Sequence, residues 1–300
     1  MSRINKAVIL TAGLGTRLIP FSKEMPKEML PLLVDVDGRI VLKPILQMVF
    51  EQLYEAGIRE FCFVVGRNKR LVENHFTPDW NFVNFLENKG KNDLADLLLE
   101  FYKKLDESHI TWINQPLPLG TGDALKKAEA FVGDESFVTC AGDNIYLGVN
   151  MVKKLLEKYS KYNGNFLTGR RVKNPERYGV IIYDDSKRLD PEVFKVKGII
   201  EKPKIPPSNL VNTSLYIFDE EIFRMLRRVK KSPRGEIELT DAIEMLVEEG
   251  HMVYVLDVKE TPWVDVGNAK GYIEALLLSV NVLKDRNLQA SLKNLFVEKL

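Results

Sequence analysis

Lys6-Ala7-Val8-Ile9-Leu10-Thr11-Ala12-Gly13-Leu14-Gly15-Thr16-Arg17 is a short apolar strand that runs straight into a Gly-rich turn and a cation. Gly13 and Gly15 carry no Cβ and sit where the carboxyl edge of a sheet meets the next segment, so backbone amides there can approach a phosphate closely. The spacing is neither G-x-G-x-x-G nor G-x-x-x-x-G-K-[ST], which counts against a simple dinucleotide fold and against a Walker-type NTPase. Two glycines also suit a purely structural turn. Arg17 tips the reading toward an anion.

Leu18-Ile19-Pro20-Phe21 and then Met25-Pro26-Lys27-Glu28-Met29-Leu30-Pro31-Leu32 follow. Prolines at 20, 26 and 31 exclude a regular helix, so a loop holds Arg17 and Lys27 close together over the end of the first strand. Arg grips phosphate oxygens through paired donors and Lys acts as a point charge, the combination wanted where charge builds on a transferring phosphoryl group.

The chain has 300 residues, 45% hydrophobic and 28% charged, with 43 Lys+Arg against 42 Asp+Glu. That length buries a sizeable core, and the composition fits neither a disordered nor a fibrous class. A net charge of +1 provides no global field for nucleic acid or an anionic membrane, so neither is expected as a partner. Cys62 and Cys140 each lie inside an apolar run and read as buried structural thiols of a reducing compartment. The run Ala7 to Leu10 is too short for a signal peptide and no stretch reaches membrane-spanning length, so a cytoplasmic location is expected. His75, His109 and His251 show no metal-ligand spacing.

Strand-length apolar runs at Lys6 to Thr11, Glu60 to Val65, Ile110 to Asn114, Ser136 to Ala141 and Asn165 to Arg170 alternate with helical patterns. Pro44 to Ala56, Asp93 to Leu105 and Met151 to Tyr162 have apolar residues every three to four positions, and Asn88 to Lys91 reads as an exposed hinge. This alternation predicts an α/β fold with a largely parallel sheet and the site at the carboxyl ends of the strands. After Arg171 the texture shifts to Val180 to Tyr183, Phe194 to Ile200 and Leu215 to Phe218, read as mixed-direction strands. Helices return at Glu220 to Val229, Thr240 to Glu249 with Thr240 as N-cap, Asn268 to Val282, and Leu283 to Leu300. No seam divides the chain.

Ala12 to Arg17 with Pro20, Lys27 and the Met25 to Leu32 block resembles the signature of sugar-1-phosphate nucleotidyltransferases, in particular the bacterial-type UTP:glucose-1-phosphate uridylyltransferases. Glu73-Asn74-His75-Phe76, Tyr178-Gly179-Val180, Gly198 to Lys204, Gly235 to Ile243 and Asp265-Val266-Gly267-Asn268 resemble later blocks in the same order. The resemblance implies a three-layer Rossmann-like fold with a mixed, mostly parallel sheet and C-terminal helices. It implies a catalytic unit over 1–282, nucleotide-binding over about 1–150 and sugar-phosphate-binding over about 151–282, then a helical tail at 283–300.

The activity implied is transfer of a uridylyl group from UTP to glucose 1-phosphate with Mg²⁺, by a homo-oligomer, dimer or tetramer. Arg17, Lys27 and Lys202 carry over as catalytic residues, and Ala12, Gly13, Gly15, Thr16, Gln115 and Gly120 as nucleotide-binding ones. Tyr178, Gly179, Glu201, Lys202 and Asn212 carry over to the sugar phosphate, and Asp143 and Asp265 to the metal. The residue types suit these tasks: a carboxylate only accepts, which matches sugar hydroxyls, and carboxylate oxygens are the hard ligands magnesium prefers. Gly120-Thr121-Gly122-Asp123-Ala124 departs from the L-G-H-A expected of that branch and is closer to thymidylyltransferases, so a dTTP enzyme is the alternative within the family. A non-catalytic sugar-nucleotide sensor is the alternative outside catalysis.

Overall fold

In a computed structural model that describes residues 4–67, 69–283 and 289–291, Lys6–Thr11 forms strand β1 and its Ala7, Val8 and Ile9 are fully buried. A strand with no polar face must be covered on both sides. Ala7 and Ile9 point into one hydrophobic cluster and Val8 into a second, as the two-residue period of a strand requires.

After β1 come three short 3-10 turns, the hairpin β2 (Pro31–Val36) and β3 (Arg39–Pro44), helix α1 (Ile45–Glu55) and β4 (Glu60–Gly66). Helices α2 (Arg70–His75), α3 (Trp80–Asn88) and α4 (Asn92–Asp106) lead to β5 (His109–Gln115). Then follow α5 (Thr121–Lys127), α6 (Glu129–Val132), β6 (Phe137–Ala141), β7 (Asn144–Tyr146), α7 (Met151–Tyr162) and β8 (Asn165–Arg171). The remainder is β9 (Gly179–Asp190), β10 (Val193–Glu201), β11 (Leu210–Phe218), α8 (Glu221–Leu226), α9 (Leu239–Glu248), β12 (Val253–Asp257), β13 (Trp263–Asp265) and α10 (Ala269–Asn281).

One nine-stranded sheet runs β5-β4-β1-β6-β11-β8-β12-β10-β9, and β7 pairs with β13 apart from it. The α/β class is as expected. Parallel ladders join β5, β4, β1 and β6 in turn, and β8 to β12. Every ladder through β10 or β11 is antiparallel, so the sheet is more mixed than the alternation of patterns suggested. Leu53 of α1, Leu105 of α4, Leu155 of α7 and Ala275 of α10 pack in one cluster. Leu125 of α5, Phe223 of α8 and Ile243 of α9 pack in the other.

Further details correct the sequence reading. Thr240 is not the N-cap of α9: Glu238 holds that position, and the Thr240 hydroxyl is diverted to Glu201. Asp37 (φ 50) and Gly38 (φ 81) close the β2–β3 hairpin with a D-G turn, an element absent from the strands expected above. β9 continues to Asp190 through a charged stretch that reads as loop, because Lys197 and Lys158 neutralise Asp184 and Asp190 from neighbouring elements. The expected helix at 283–300 lies outside the described residues except at 283 and 289–291. Cys62 and Cys140 are buried free thiols pushed up to about 12 by burial. Among the described residues no helix is long and apolar enough to cross a membrane.

Phe50 is fully buried with its ring 4.7 Å from Phe61, 5.4 Å from Phe76 and 6.1 Å from Phe101. Phe50→Ala is expected to cost about 3–5 kcal/mol by opening a cavity there. A lower urea midpoint at unchanged slope would show it.

Candidate active site

The parallel run of β4, β1 and β6 delivers three chain segments to one edge, and two glycines let them meet. A Cβ on Gly66 would stand 2.8 Å from the Ala12 carbonyl oxygen, and one on Gly142 2.5 Å from Thr11 Cγ2. Ala12 is buried at the base of the Gly-rich loop, whereas Gly13, Thr16 and Arg17 are exposed above it. Ser22 donates its hydroxyl to the Gly15 carbonyl at 2.7 Å and fastens the loop to the turns that follow. The prolines leave room only for single 3-10 turns, the last over Lys27–Met29. From it the Lys27 stem lies over Gly13, and its ammonium pairs with the Asp143 carboxylate.

Asp143 follows β6, and Asp265 ends β13. The β7–β13 ladder sets Asp265 opposite Asn144, and Val266 N–H donates to the Asp143 carbonyl at 3.2 Å, so two carboxylates distant in sequence share one point. Burial drives the Asp143 pKa upward, but the Lys27 ammonium outweighs it and holds the carboxylate below its usual range. Asp265 goes the other way: burial and the neighbouring Asp143 raise it to about 6, against Lys27, Arg17 and Arg177. Burial likewise lowers the Lys27 pKa, and Asp143 and Glu28 reverse that, leaving it raised. The Arg17 guanidinium rests against Gly267 beside Asp265.

At the far side, β10 ends at Glu201, and Lys202 takes a left-handed backbone (φ 45) that turns it back toward the strand end. Glu201 is held by Lys202 at 3.2 Å, by Arg234 at 3.4 Å and by the Thr240 hydroxyl at 3.2 Å. Lys202 N–H donates to the Tyr178 carbonyl at 3.0 Å, and Tyr178 packs against Trp263, which ties both sides of the site together. Asn212 donates to the Tyr216 hydroxyl at 2.5 Å and accepts from Ser214 N–H at 2.9 Å, so both ends of its amide already serve the fold.

Arg17, Asp143, Asp265, Tyr178, Gly179, Glu201, Lys202 and Asn212 all border one cavity of about 810 Å³. Lys27 reaches it through Asp143. Ala12, Gly13, Gly15, Thr16, Gln115 and Gly120 lie outside that lining, although Thr121 belongs to it. The Gln115 amide donates to the Gly120 carbonyl at 3.1 Å and to Asp123 at 2.8 Å. Gly120 has φ 103 and a Cβ there would meet the Ile237 carbonyl at 2.5 Å, a structural reason for glycine independent of any ligand. Sequence reading missed Arg170, Lys173, Arg177 and Lys270, which also line the cavity. Only Arg170 carried a signal, as a cation at the carboxyl end of a strand. A second cavity of about 460 Å³, between the β2–β3 hairpin and α1, α3 and α4, is mainly apolar and holds none of the expected residues. A cavity rimmed by several cations suits an anion such as phosphate, and the oxygens of its carboxylate pair are of the hard kind that a divalent cation takes.

Residues 6–280 match the family model described as nucleotidyl transferase. The chain is 37% identical over 283 residues to the UTP–glucose-1-phosphate uridylyltransferase of Bacillus subtilis, covering 92% of this chain and 91% of that one. It is similar in fold to a UTP-bound UGPase from Acinetobacter baumannii, with a TM-score of 0.82, 29% identity and 99% and 100% of the two chains covered. It is likewise similar to a UDP-glucose pyrophosphorylase complexed with UDP-glucose, with a TM-score of 0.80, 28% identity and coverage of 93% and 99%.

Lys27→Met strands the buried Asp143 carboxylate beside Asp265 and is expected to cost about 3–5 kcal/mol in urea unfolding. Adding Asp143→Asn removes the stranded charge. The double variant should recover most of the loss.

Proposed function

The chain belongs to the nucleotidyl transferase family, among the UTP–glucose-1-phosphate uridylyltransferases, and we propose that it transfers the uridylyl group of UTP to glucose 1-phosphate, releasing pyrophosphate and UDP-glucose. The observation that carries this reading is the joint placement of Arg17, Asp143, Asp265, Glu201 and Lys202 around one cavity, with Lys27 paired to its floor. The three-layer Rossmann-like description, the division into nucleotide-binding residues 1–150 and sugar-phosphate-binding residues 151–282, and a homo-oligomer belong to the same proposal.

Asp143 and Asp265 fit Mg²⁺. They offer hard oxygens, and the β7–β13 ladder brings the two carboxylates to one point, where burial first and then Asp143 raise Asp265 to about 6. Held by Asp143 and Asp265, Mg²⁺ would supply charge neutralisation for phosphate oxygens brought into the site. The sugar-phosphate oxygen attacks the α-phosphorus in line with the departing pyrophosphate, and no covalent enzyme intermediate is required. Arg17 and the backbone amides of Ala12 to Thr16 hold the leaving β- and γ-phosphates, while Lys27 moves from Asp143 to the α-phosphate. Lys202 orients the attacking phosphate, and Glu201, steadied by Arg234 and Thr240, accepts from sugar hydroxyls beside Tyr178, Gly179 and Asn212. The base is assigned to Gln115 and Gly120, next to Thr121 at the edge of the cavity. Catalysis is positioning and charge neutralisation throughout.

Pyrophosphate release with Mg²⁺ and glucose 1-phosphate, compared across UTP, dTTP, ATP, GTP and CTP, should be greatest with UTP. Greatest release with dTTP would move the protein to the thymidylyl branch, and release with none would reduce it to a binding protein. Arg17→Ala and Lys202→Ala should each lower turnover about 100-fold or more without unfolding the chain. Chelation of divalent cations should abolish release and added Mg²⁺ restore it; activity that survives chelation would overturn the metal assignment.

A further inference from the structure

Glu28 and Lys69 form an ion pair at 2.7 Å whose side chains are 1% and 9% exposed, directly behind the site. A buried pair is seldom the most stable filling for such a space, because desolvating two ions costs as much as their attraction returns. Two apolar side chains would serve stability equally well, so the place of this pair in the fold is informative. Glu28 is the neighbour of Lys27 in the same single turn: one side chain reaches forward to Asp143, the other backward to Lys69. The Glu28 stem also packs beneath the Gly142-Asp143 turn, where a Cβ on Gly142 would stand 3.4 Å from its Cγ. Lys69 opens α2 just beyond Gly66, the residue against which the Ala12 carbonyl rests. The pair thus joins the Lys27 turn, the base of the Gly-rich loop and the seat of Asp143.

We propose that the buried Glu28–Lys69 pair is a positioning device for Lys27, anchoring its turn and keeping a negative charge behind its ammonium when it leaves Asp143 for substrate phosphate. The inference rests on the reading of the site as a nucleotidyltransferase centre. In the free protein three carboxylates act on Lys27: Asp143 in front, Glu28 behind, and Asp265 more weakly. With Asp143 and Asp265, the two carboxylates of the site itself, engaged elsewhere, Glu28 is the one that stays behind Lys27, and Lys69 fixes where it stands. Neither residue touches the cavity lined by Glu201 and Lys202, so sugar-phosphate binding should be indifferent to the pair.

The experiment compares Glu28→Leu/Lys69→Met, Glu28→Gln and Lys69→Arg with the parent in steady-state pyrophosphate release, alongside thermal unfolding. The double variant replaces the pair by apolar groups of similar size and should unfold within about 5 °C of the parent. Its kcat should fall about 100-fold at an unchanged KM for glucose 1-phosphate, the scale of a catalytic group displaced by an ångström. Lys69→Arg keeps the bridge and should retain kcat within about threefold, as rescue by a conservative change requires. A double variant that folds and turns over like the parent would overturn the proposal, for the pair would then be filling only. Should the double variant fail to fold, Glu28→Gln decides: it keeps the shape and removes the charge, and parental kcat in it overturns the proposal equally. Rates are taken with whichever nucleoside triphosphate supports release in the parent, so a wrong nucleotide assignment registers in the parent while a wrong inference registers only in the ratio of variant to parent.

Discussion

Asp143 and Asp265 are carboxylates that repel one another, and the β7–β13 ladder holds them together against that repulsion. The ladder can do so because its other residues are anchored in the core: Ile145, Tyr146 and Val264 are buried, and the Tyr146 hydroxyl shares a hydrogen bond with Thr213 on β11. The rest of the site answers this enforced concentration of negative charge. Lys27 binds one carboxylate, and Arg17 and Arg177 lie near the other, whose pKa burial and Asp143 still raise. In the proposed reading a divalent cation and a phosphate chain would complete such an arrangement, because each supplies what the other and the carboxylates lack.

Under the proposed reaction the residues assigned to the site include no covalent nucleophile and need none. Each would act by standing in a fixed place, which transfers the burden from chemistry to the scaffold. That explains why so many polar groups around the site are engaged with one another. Arg234 and Thr240 hold Glu201, the Tyr178 carbonyl holds the Lys202 amide, and the buried Lys69 holds Glu28 behind Lys27. It also explains why the strand ends approach so closely at Gly66 and Gly142. Any side chain there would separate the Gly-rich loop from the carboxylate it must face.

β1, α1, α4 and α7 were legible because each combines an apolar period with a clear stop. The strand β12 (Val253–Asp257) was not, and β13 (Trp263–Asp265) showed only as a strand-like piece before Asp265, since both are short and set among polar segments. Pairing with β8 and β7 is what makes them strands. Thr240 illustrates the opposite error: a hydroxyl at the head of a helix reads as a cap, but a carboxylate on β10 competes for it. Cations such as Arg177 and Lys173 carry no local mark at all. Only the fold turns them toward the cavity.

By itself the sequence determined the local chemistry: a strand ending in a Gly-rich turn, cations at 17 and 27, carboxylates at 143 and 265, and a Glu-Lys pair at 201 and 202. Those properties depend on residue type and near-neighbour spacing, which one chain displays openly. Tertiary structure alone decided which of them meet. The antiparallel turns of β10 and β11, the ladder that delivers Asp265 to Asp143, and the burial of Glu28 against Lys69 all join segments distant along the chain. Such contacts form because a sheet closed on both faces leaves each segment only one place where its apolar side is covered and its polar groups are paired.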